Sequence, residues 1–218
     1  MKFGLALSGG ATRGAAHVGV MKALAEADLH PSWISGTSAG SMVAALYACG
    51  YSVQEMEEIA LTLDKSIYDT DYSGIAGGIL QWIITGNTKW DGLMKGKNLE
   101  TMMKKLTKGK FMNESRLPLA ITAVDINTGK TILFVDSKKK LIDEEDIMYI
   151  NDVPIYQAVR ASIAIPVIFK PIIIHGMRLV DGGVTDSVPI DVLKKMGADK
   201  VIGISLGYSG QRRCEVDN

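Results

Sequence analysis

Two glycine-rich turns near the amino terminus each separate a short apolar run from a helix-forming segment. In chain order, the apolar run, the turn and the helical segment lie at residues 3–7, 8–10 and 14–27, and then at 33–34, 36–40 and 39–49. A strand, a tight turn and a helix in that order form the repeating unit of a parallel α/β sheet. The repetition therefore predicts an α/β fold.

The same alternation continues along the 218 residues, a length that fits one domain with a substantial core. Further helices are predicted at 52–63, 154–163 and 188–196, and further strands at 117–124, 130–135, 177–180 and 200–204. Ser52 and Glu55 form a capping-box pattern, and Gly197 ends a helix. The turn after residue 124 predicts a hairpin-like pair. We expect a three-layer α/β/α sandwich around a mostly parallel central sheet.

Balanced charge and few cysteines argue against several classes of protein. The chain has 24 Lys and Arg against 24 Asp and Glu, so no overall field favours nucleic acid. Cys49 lies in an apolar run and Cys214 in a polar tail, which indicates neither a disulfide framework nor a metal site. No run of 18 apolar residues occurs, and the first apolar run is too short for a signal peptide. We therefore expect a soluble, cytoplasmic protein.

Residues 1–210 are predicted to form the single domain and residues 211–218 a polar tail. Residues 66–97 interrupt the alternation with turn residues and an apolar patch at 79–84. Two interpretations stay open, a helix packed on the core or a cap that offers apolar surface to acyl chains or a membrane. Two lysine clusters are either solvated faces or contacts for anionic lipid: Lys104, Lys105, Lys108 and Lys110, and residues 138–140. The sequence leaves the oligomeric state open.

The second turn contains a G-x-S-x-G pattern in which Gly36 and Gly40 flank Ser38. A serine between a strand and a helix holds its hydroxyl clear of the sheet, and the glycines allow the turn and a close substrate approach. The chain has 23 glycines and carries a second match around Ser205, but no helix-forming pattern follows that copy. Ser38 is therefore the candidate nucleophile, and Ser205 is expected to be a serine at the end of a strand.

The first turn offers hydrogen-bond donors for the oxyanion that an acyl-transfer site must stabilise. The amides of Gly9, Gly10 and Ala11 follow a strand and precede a helix, where a glycine loop directs N–H groups outward. Arg13 is expected to fix this loop or to neutralise a substrate phosphate, and Gly14 ends the loop. Dinucleotide binding is disfavoured, because no carboxylate follows about 20 positions on, at the end of the second strand.

The three histidines are the first candidates for a base, and none has an obvious catalytic context. His17 lies one turn into the first helix, where a packing role is favoured, although a triad with Ser38 stays open. His30 precedes a proline in a connecting loop, and His175 lies in a turn. Both are expected to be surface residues.

An aspartate is better placed than any histidine. Asp181 ends a short strand and is followed by Gly182 and Gly183, which allow close backbone approach. A carboxylate there can take the Ser38 proton directly and form a two-residue dyad. Three other aspartates have structural interpretations. Asp125 is expected to form a turn, Asp186 to be a polar loop residue and Asp191 to support a helix dipole.

These motifs and the block Ala-Ser-x-x-x-Pro-x-x-Phe at 161–169 resemble, in the same order, those of the patatin-like phospholipase family. The likeness spans nearly the whole chain and is greatest to compact bacterial members related to the neuropathy target esterase catalytic domain. It implies a hydrolase of phospholipid or lysophospholipid esters that needs no metal or other cofactor, with Ser38 as nucleophile and Asp181 as base. The amides of residues 9–11 would form the oxyanion hole. Ala11 stands where the family usually has glycine, which predicts an altered loop shape with the amide still available.

Two other hypotheses remain. One is a lipid-binding or scaffolding module on the same fold that does no chemistry. The other is a general carboxylesterase whose triad includes His17.

Overall fold

The computed structural model describes residues 2–62, 94–136 and 141–207. Most of the segment at 66–97, the lysines at 138–140 and the tail at 211–218 lie outside the described residues. Within the described ranges the strands are β1 (Gly4–Leu7), β2 (Trp33–Thr37), β3 (Leu119–Asp125), β4 (Thr131–Val135), β5 (Ile147–Ile150), β6 (Ile172–Ile174), β7 (Met177–Asp181) and β8 (Val201–Ile204). The α-helices are α1 (Ala15–Glu26), α2 (Ala39–Cys49), α3 (Val53–Thr62), α4 (Lys97–Leu106), α5 (Ile155–Ser162) and α6 (Ile190–Lys195).

The strands form one sheet in the order β5-β4-β3-β2-β1-β8, and β7 pairs with both β3 and β6. Strands β8, β1, β2 and β3 are parallel, whereas β4 runs antiparallel to β3 and parallel to β5. Parallel strands need helical crossovers, which place helices on the faces of the sheet. The predicted sandwich with a mostly parallel sheet is confirmed.

Side chains of β1 alternate between the two faces of the sheet. Leu5 and Leu7 belong to the larger apolar core, which also contains buried residues of α1 to α5. Ala6 belongs to a smaller core, which Val192 and Leu193 of α6 help to form on the other face. Burying apolar area on both faces supplies the main favourable free energy of such a fold.

Local sequence patterns predicted several of these elements correctly. The capping box is present, because the Ser52 amide donates to Glu55 Oε2 at 2.7 Å and the Glu55 amide donates to Ser52 Oγ at 3.2 Å. The hairpin-like pair is the antiparallel pair β3–β4. Three elements were not predicted, namely the short strands β5 and β6 and the helix α4. The two core residues of α4, Leu99 and Met103, stand among lysines that obscure the apolar period.

Within the segment at 66–97, the described residues begin at Met94, which is hydrogen-bonded to the loop that follows α5. The Met94 amide donates to the Ile168 carbonyl at 2.8 Å, and the Lys170 amide donates to the Met94 carbonyl at 2.9 Å. This exchange fixes the chain just before α4. None of the described helices is long and apolar enough to cross a lipid bilayer.

Candidate active site

Ser38 occupies the turn between β2 and α2 in a backbone conformation that serine rarely adopts. Its φ of 52° and ψ of −123° lie outside the regions that L-residues favour, so the turn is strained. Serine in the residue before a helix usually accepts a hydrogen bond from a helix amide. Ser38 makes no such bond, so its hydroxyl is not used to cap α2.

Close backbone contacts require the glycines on both sides of Ser38. A Cβ atom at Gly36 would lie 2.4 Å from the Gly40 carbonyl oxygen, and one at Gly40 would lie 2.4 Å from the Leu7 carbonyl oxygen. Any side chain at these positions would overlap the backbone. The start of α2 therefore packs directly against the end of β1, which brings the two glycine turns together.

Strands β2 and β7 approach one another end to end along one edge of β3. Thr37, the last residue of β2, is opposite Thr122, and Asp181, the last residue of β7, is opposite the next residue, Ala123. Strand β4 occupies the other edge of β3, so β2 and β7 share this one. The register therefore brings Ser38 and Asp181 side by side.

The Ser38 hydroxyl lies beside the Asp181 carboxylate, close enough to lower the pKa of that carboxyl as a hydrogen-bond donor. The Gly183 amide donates a hydrogen bond to the same carboxylate, with 2.7 Å between its nitrogen and Oδ1. Both side chains of the pair are buried, with 5% of Ser38 and 6% of Asp181 exposed. Burial is the largest influence on the carboxyl and raises the pKa of Asp181, while the Ser38 hydroxyl and the Gly183 amide lower it less. A carboxylate with a raised pKa is a stronger base than an ordinary aspartate.

Gly182, the first of the two glycines after Asp181, is held by contact with β3. A Cβ atom at Gly182 would lie 2.4 Å from the Thr122 carbonyl oxygen. The chain can therefore pass β3 at this point only with glycine. Gly183 follows in a 3-10 turn, Gly182–Val184, which directs its amide to the Asp181 carboxylate.

The first glycine turn lies beside Ser38. A Cβ atom at Gly9 would be 3.4 Å from the Ser38 Cβ. The Gly9 amide already donates to the Ser187 carbonyl at 3.2 Å, which removes Gly9 from the set of expected oxyanion donors. Within residues 2–62, 94–136 and 141–207, the amides of Gly10 and Ala11 have no hydrogen-bond acceptor. These two amides are the donors that the turn can offer.

Arg13 and Gly14 support the shape of this turn. The Arg13 amide donates to the Gly10 carbonyl at 2.9 Å, and the side chain of Arg13 is exposed. A Cβ atom at Gly14 would lie 2.7 Å from the Ala39 Cβ, so the turn packs tightly on the first residue of α2. The Arg13 backbone thus fixes the loop, and contact of its side chain with a substrate phosphate stays a prediction.

His17 is fully buried and binds the residue before the glycines. A carbonyl only accepts, so the ring donates from Nε2 to the Ser8 carbonyl at 2.8 Å. Burial lowers the pKa of His17, and the bond to Ser8 raises it less, so the ring is neutral at pH 7. The Nδ1 atom has no partner among the described residues. This geometry agrees with the packing role that the sequence favours.

The other candidates have structural contacts that agree with their interpretations. His30 and His175 are surface residues close to Asp28 and Asp152, at 3.4 and 3.1 Å. Asp125 accepts hydrogen bonds from Asn127 and Thr128 in a turn. Asp186 is half-buried in a loop, and Asp191 pairs with Lys194 at 3.6 Å. Ser205 follows β8 directly. In the part of the chain that the structure describes, no three His, Cys, Asp or Glu side chains form a group that could hold a metal ion.

Ser162 is a site residue that the sequence analysis did not single out. It is fully buried at the end of α5, and its Oγ accepts the Ser38 amide at 2.8 Å. The Ala164 carbonyl accepts the Asp181 amide at 3.0 Å. The block at 161–169 therefore supports both members of the pair. The sequence motif of this block can be recognised, but the motif does not indicate that the block binds the amides of Ser38 and Asp181.

Comparison with known proteins agrees with this geometry. A family model described as patatin-like phospholipase matches residues 5–194, which include both glycine turns, Ser38 and Asp181. The chain belongs to the patatin-like phospholipase family. The resemblance noted from the motifs is thereby confirmed.

Relatives of this patatin-like chain cover it almost completely. The uncharacterized protein YqhO of Bacillus subtilis is 31% identical over 216 residues, which are 94% of this chain and 72% of YqhO. An NTE family protein of Mycobacterium tuberculosis is 27% identical over 94% of this chain and 49% of its own length. Lysophospholipase NTE1 of Scheffersomyces stipitis is 26% identical over 96% of this chain and 12% of its own length. The chain therefore corresponds to only a part of the NTE relatives.

A solved structure has the same fold. VipD from Legionella pneumophila aligns with a TM-score of 0.51 and 17% identity, over 86% of this chain and 47% of VipD. At this identity the likeness concerns the fold alone.

Proposed function

We propose that this patatin-like chain hydrolyses lipid esters with Ser38 as nucleophile and Asp181 as base. Family membership supports lipid ester hydrolysis. The adjacency of Ser38 and the buried Asp181 carboxylate, which the register along β3 produces, is the observation that carries the assignment of residues. A serine hydroxyl is a poor nucleophile until a base takes its proton, and here a buried carboxylate lies beside that hydroxyl.

The reaction proceeds in two half-reactions. Asp181 removes the hydroxyl proton while Ser38 Oγ bonds to the ester carbonyl carbon, and the carbonyl oxygen becomes an oxyanion. As the carbon–oxygen bond to the alcohol breaks, protonated Asp181 returns the proton to the departing alcohol and an acyl-enzyme remains. Asp181 then takes a proton from water, whose oxygen attacks the acyl carbon. Ser38 recovers the proton, and the fatty acid is released.

The oxyanion of both half-reactions accepts hydrogen bonds from the amides of Gly10 and Ala11. These amides belong to a turn that lies beside Ser38 and have no other acceptor among the described residues. Donors that are already oriented stabilise developing charge without reorganisation, and the loss of one such donor typically costs about 10²- to 10³-fold in kcat.

Phospholipids and lysophospholipids are the proposed substrate class. One relative, lysophospholipase NTE1, supports this class by its name, although that protein is much longer. Val167 and Ile168 are exposed and lie in the loop that begins near Ala164, whose carbonyl binds the Asp181 amide. Exposed apolar side chains at this position are suited to acyl chains and to transient contact with a lipid surface.

The geometry disfavours a triad that includes His17. The Nε2 proton is donated to the Ser8 carbonyl, and the ring is fully buried with a lowered pKa. The carboxylate beside the Ser38 hydroxyl belongs to Asp181, which can act as the base without a histidine. A triad predicts that His17→Ala loses more activity than Asp181→Asn, whereas the dyad predicts the reverse.

A substrate panel on wild type, Asp181→Asn and Asp186→Asn tests the proposal. The panel contains a short p-nitrophenyl ester, lysophosphatidylcholine micelles and phosphatidylcholine vesicles. We expect Asp181→Asn to lose about 10³-fold or more in kcat, because the amide cannot take the serine proton. Asp186 is the matched control, since its carboxyl is half-buried and burial raises its pKa as well.

Two results would contradict the proposal. Equal losses in both variants would show that Asp181 has no special role. Binding of lipid by wild type without turnover of any substrate would favour the non-catalytic lipid-binding module.

A further inference from the structure

Three consecutive peptide units of the first glycine turn each have their carbonyl held by a hydrogen bond. The Ser8 carbonyl accepts from His17 Nε2 at 2.8 Å, and the Gly10 carbonyl accepts from the Arg13 amide at 2.9 Å. Between them, the Gly9 carbonyl accepts from the Ser8 hydroxyl at 2.7 Å. In a trans peptide the C=O and N–H bonds point in opposite directions, so a bond that holds the carbonyl also sets the direction of the amide. The bond to the Gly9 carbonyl therefore sets the direction of the Gly10 amide.

The Ser8 hydroxyl is itself held from the carboxyl-terminal side of the sheet. Its Oγ accepts the Leu206 amide at 2.8 Å, just beyond β8, and Ser8 is only 1% exposed. A hydroxyl has one proton, so a bond accepted from Leu206 leaves that proton for the Gly9 carbonyl. The Leu206 side chain also packs on Gly10, where a Cβ atom would lie 2.7 Å from Cδ1. Leu206 thus supports both the hydroxyl and the turn that it holds.

The peptide unit between Gly9 and Gly10 needs such a support. Glycine on both sides leaves the adjacent φ and ψ angles with a wide allowed range, so side-chain sterics do little to fix the direction of the amide. A donor that must reorient during the reaction stabilises an oxyanion less than one already in place. The Ser8 hydroxyl is the single side-chain group, among the described residues, that holds this unit.

We propose that Ser8 is a positioning residue that directs the Gly10 amide at the oxyanion. The inference rests on the proposed function, because it assigns the Gly10 amide a role in that reaction. Ser8 does not touch the reacting atoms and acts through the peptide unit that it holds. The residue is thus distinct from the nucleophile and the base.

Kinetics of Ser8→Ala in the full chain test this role. We expect kcat to fall about 10- to 100-fold while KM stays within about twofold, because the lost restraint matters most when the oxyanion forms. A trifluoromethyl ketone, which forms a tetrahedral adduct with an active serine, is expected to bind more weakly by the same factor as kcat/KM. A merely structural role would instead lower the melting temperature and would weaken substrate and ketone alike.

Two further variants sharpen the test. Ser8→Thr keeps the hydroxyl and is expected to recover kcat to within about threefold of wild type, and Ser8→Cys, with a weaker donor, is expected to lie between wild type and Ser8→Ala. Ser205→Ala is the matched control, because it removes a hydroxyl just beyond β8 that accepts only the Gly207 amide, at 3.2 Å, within the described residues. Its kcat is expected to equal that of wild type.

An unchanged kcat in Ser8→Ala, or an equal loss in Ser8→Thr and Ser8→Ala, would overturn the role of Ser8. Should Ser8→Ala fail to fold, a kcat of Ser8→Cys equal to that of wild type would overturn it as well. Wild-type activity that persists in Ser38→Ala would overturn the proposed function instead, so the two failures are distinguishable.

Discussion

Ser38 and Asp181 are each held in a state that is locally unfavourable. Ser38 has a positive φ, and Asp181 keeps a carboxylate away from water. Specific contacts offset these penalties, because Ser162 accepts the Ser38 amide and the Gly183 amide donates to Asp181. Strain of this kind persists only where several surrounding contacts hold the same conformation. The pair is thus oriented before any substrate arrives.

The raised pKa of Asp181 predicts the acid limb of the pH–rate profile. The proposed base works ionised, so kcat/KM should fall as the pH drops through the pKa of Asp181. Because burial raises that pKa, the limb should lie at a higher pH than the usual range of aspartate, near 3.9. Asp186→Asn is the control, because burial also raises the pKa of Asp186. An acid limb that moves in this variant would show that Asp186, and not Asp181, is the group that titrates.

The same shift predicts the effect of Asp181→Asn on stability. A raised pKa means that the folded chain binds this proton more tightly than the unfolded chain does. The resulting stabilisation is complete below the unfolded pKa and is lost as the pH rises through the folded pKa. Ionised Asp181 therefore lowers stability at neutral pH, and we expect Asp181→Asn to melt at the wild-type temperature or above. A clearly lower melting temperature in a thermal scan at pH 7 would contradict this.

At the scale of elements, α2 reaches the site because its first turn has almost no side-chain volume. Gly40 lets the helix touch the carbonyl oxygens of Leu7 and Ser8, and Ala39 packs on Gly14. The helix therefore carries Ser38 directly against the turn that we propose supplies the oxyanion donors. A larger residue at either contact would separate the proposed nucleophile from those donors.

Two glycine substitutions in helices separate this packing from helix propensity. Gly40→Ala is expected to lower the free energy of unfolding by about 1–3 kcal/mol, because its Cβ would overlap the β1 backbone. Gly19→Ala in α1 is expected to raise it by about 0.5–1 kcal/mol, since that position is exposed and its Cβ meets no atom within 4 Å. Urea unfolding of both variants is the measurement. A neutral Gly40→Ala would contradict the close contact.

The elements that the sequence predicted are those that local patterns specify. Strand–turn–helix units, the capping box at Ser52 and the β3–β4 pair depend on neighbouring residues, and the structure contains all of them. The approach of β2 to β7 depends on register along β3, which no local pattern encodes. The sequence could therefore propose Asp181 from its glycines, but it could not show why Asp181 meets Ser38.

The donors of the first turn show the same limit. The glycine pattern correctly indicated a loop beside the serine, yet the Gly9 amide is bonded to Ser187, a residue far away in the sequence. Ser8 and Ser162 carried no recognisable signal of their own, because their roles depend on bonds to Leu206 and to Ser38. Long-range hydrogen bonds are the part of the site that one sequence does not reveal.

On the scale of the whole molecule, the sheet gathers segments from both halves of the chain at one edge. The parallel strands β1 and β2 bring the two glycine turns together, and the antiparallel strand β7 brings Asp181 from the opposite direction. The block at 161–169 then binds both partners. The family match runs from residue 5 to residue 194 and so contains every one of these site segments.

The central claim is that one serine in the whole chain is activated, and that its partner is Asp181. Labelling with a fluorophosphonate, read by intact mass and peptide mapping, tests this most directly. We predict one adduct per chain, on Ser38, with none in Ser38→Ala, much slower labelling in Asp181→Asn and wild-type labelling in Ser205→Ala. An adduct that persists in Ser38→Ala, or labelling of Asp181→Asn at the wild-type rate, would contradict the account.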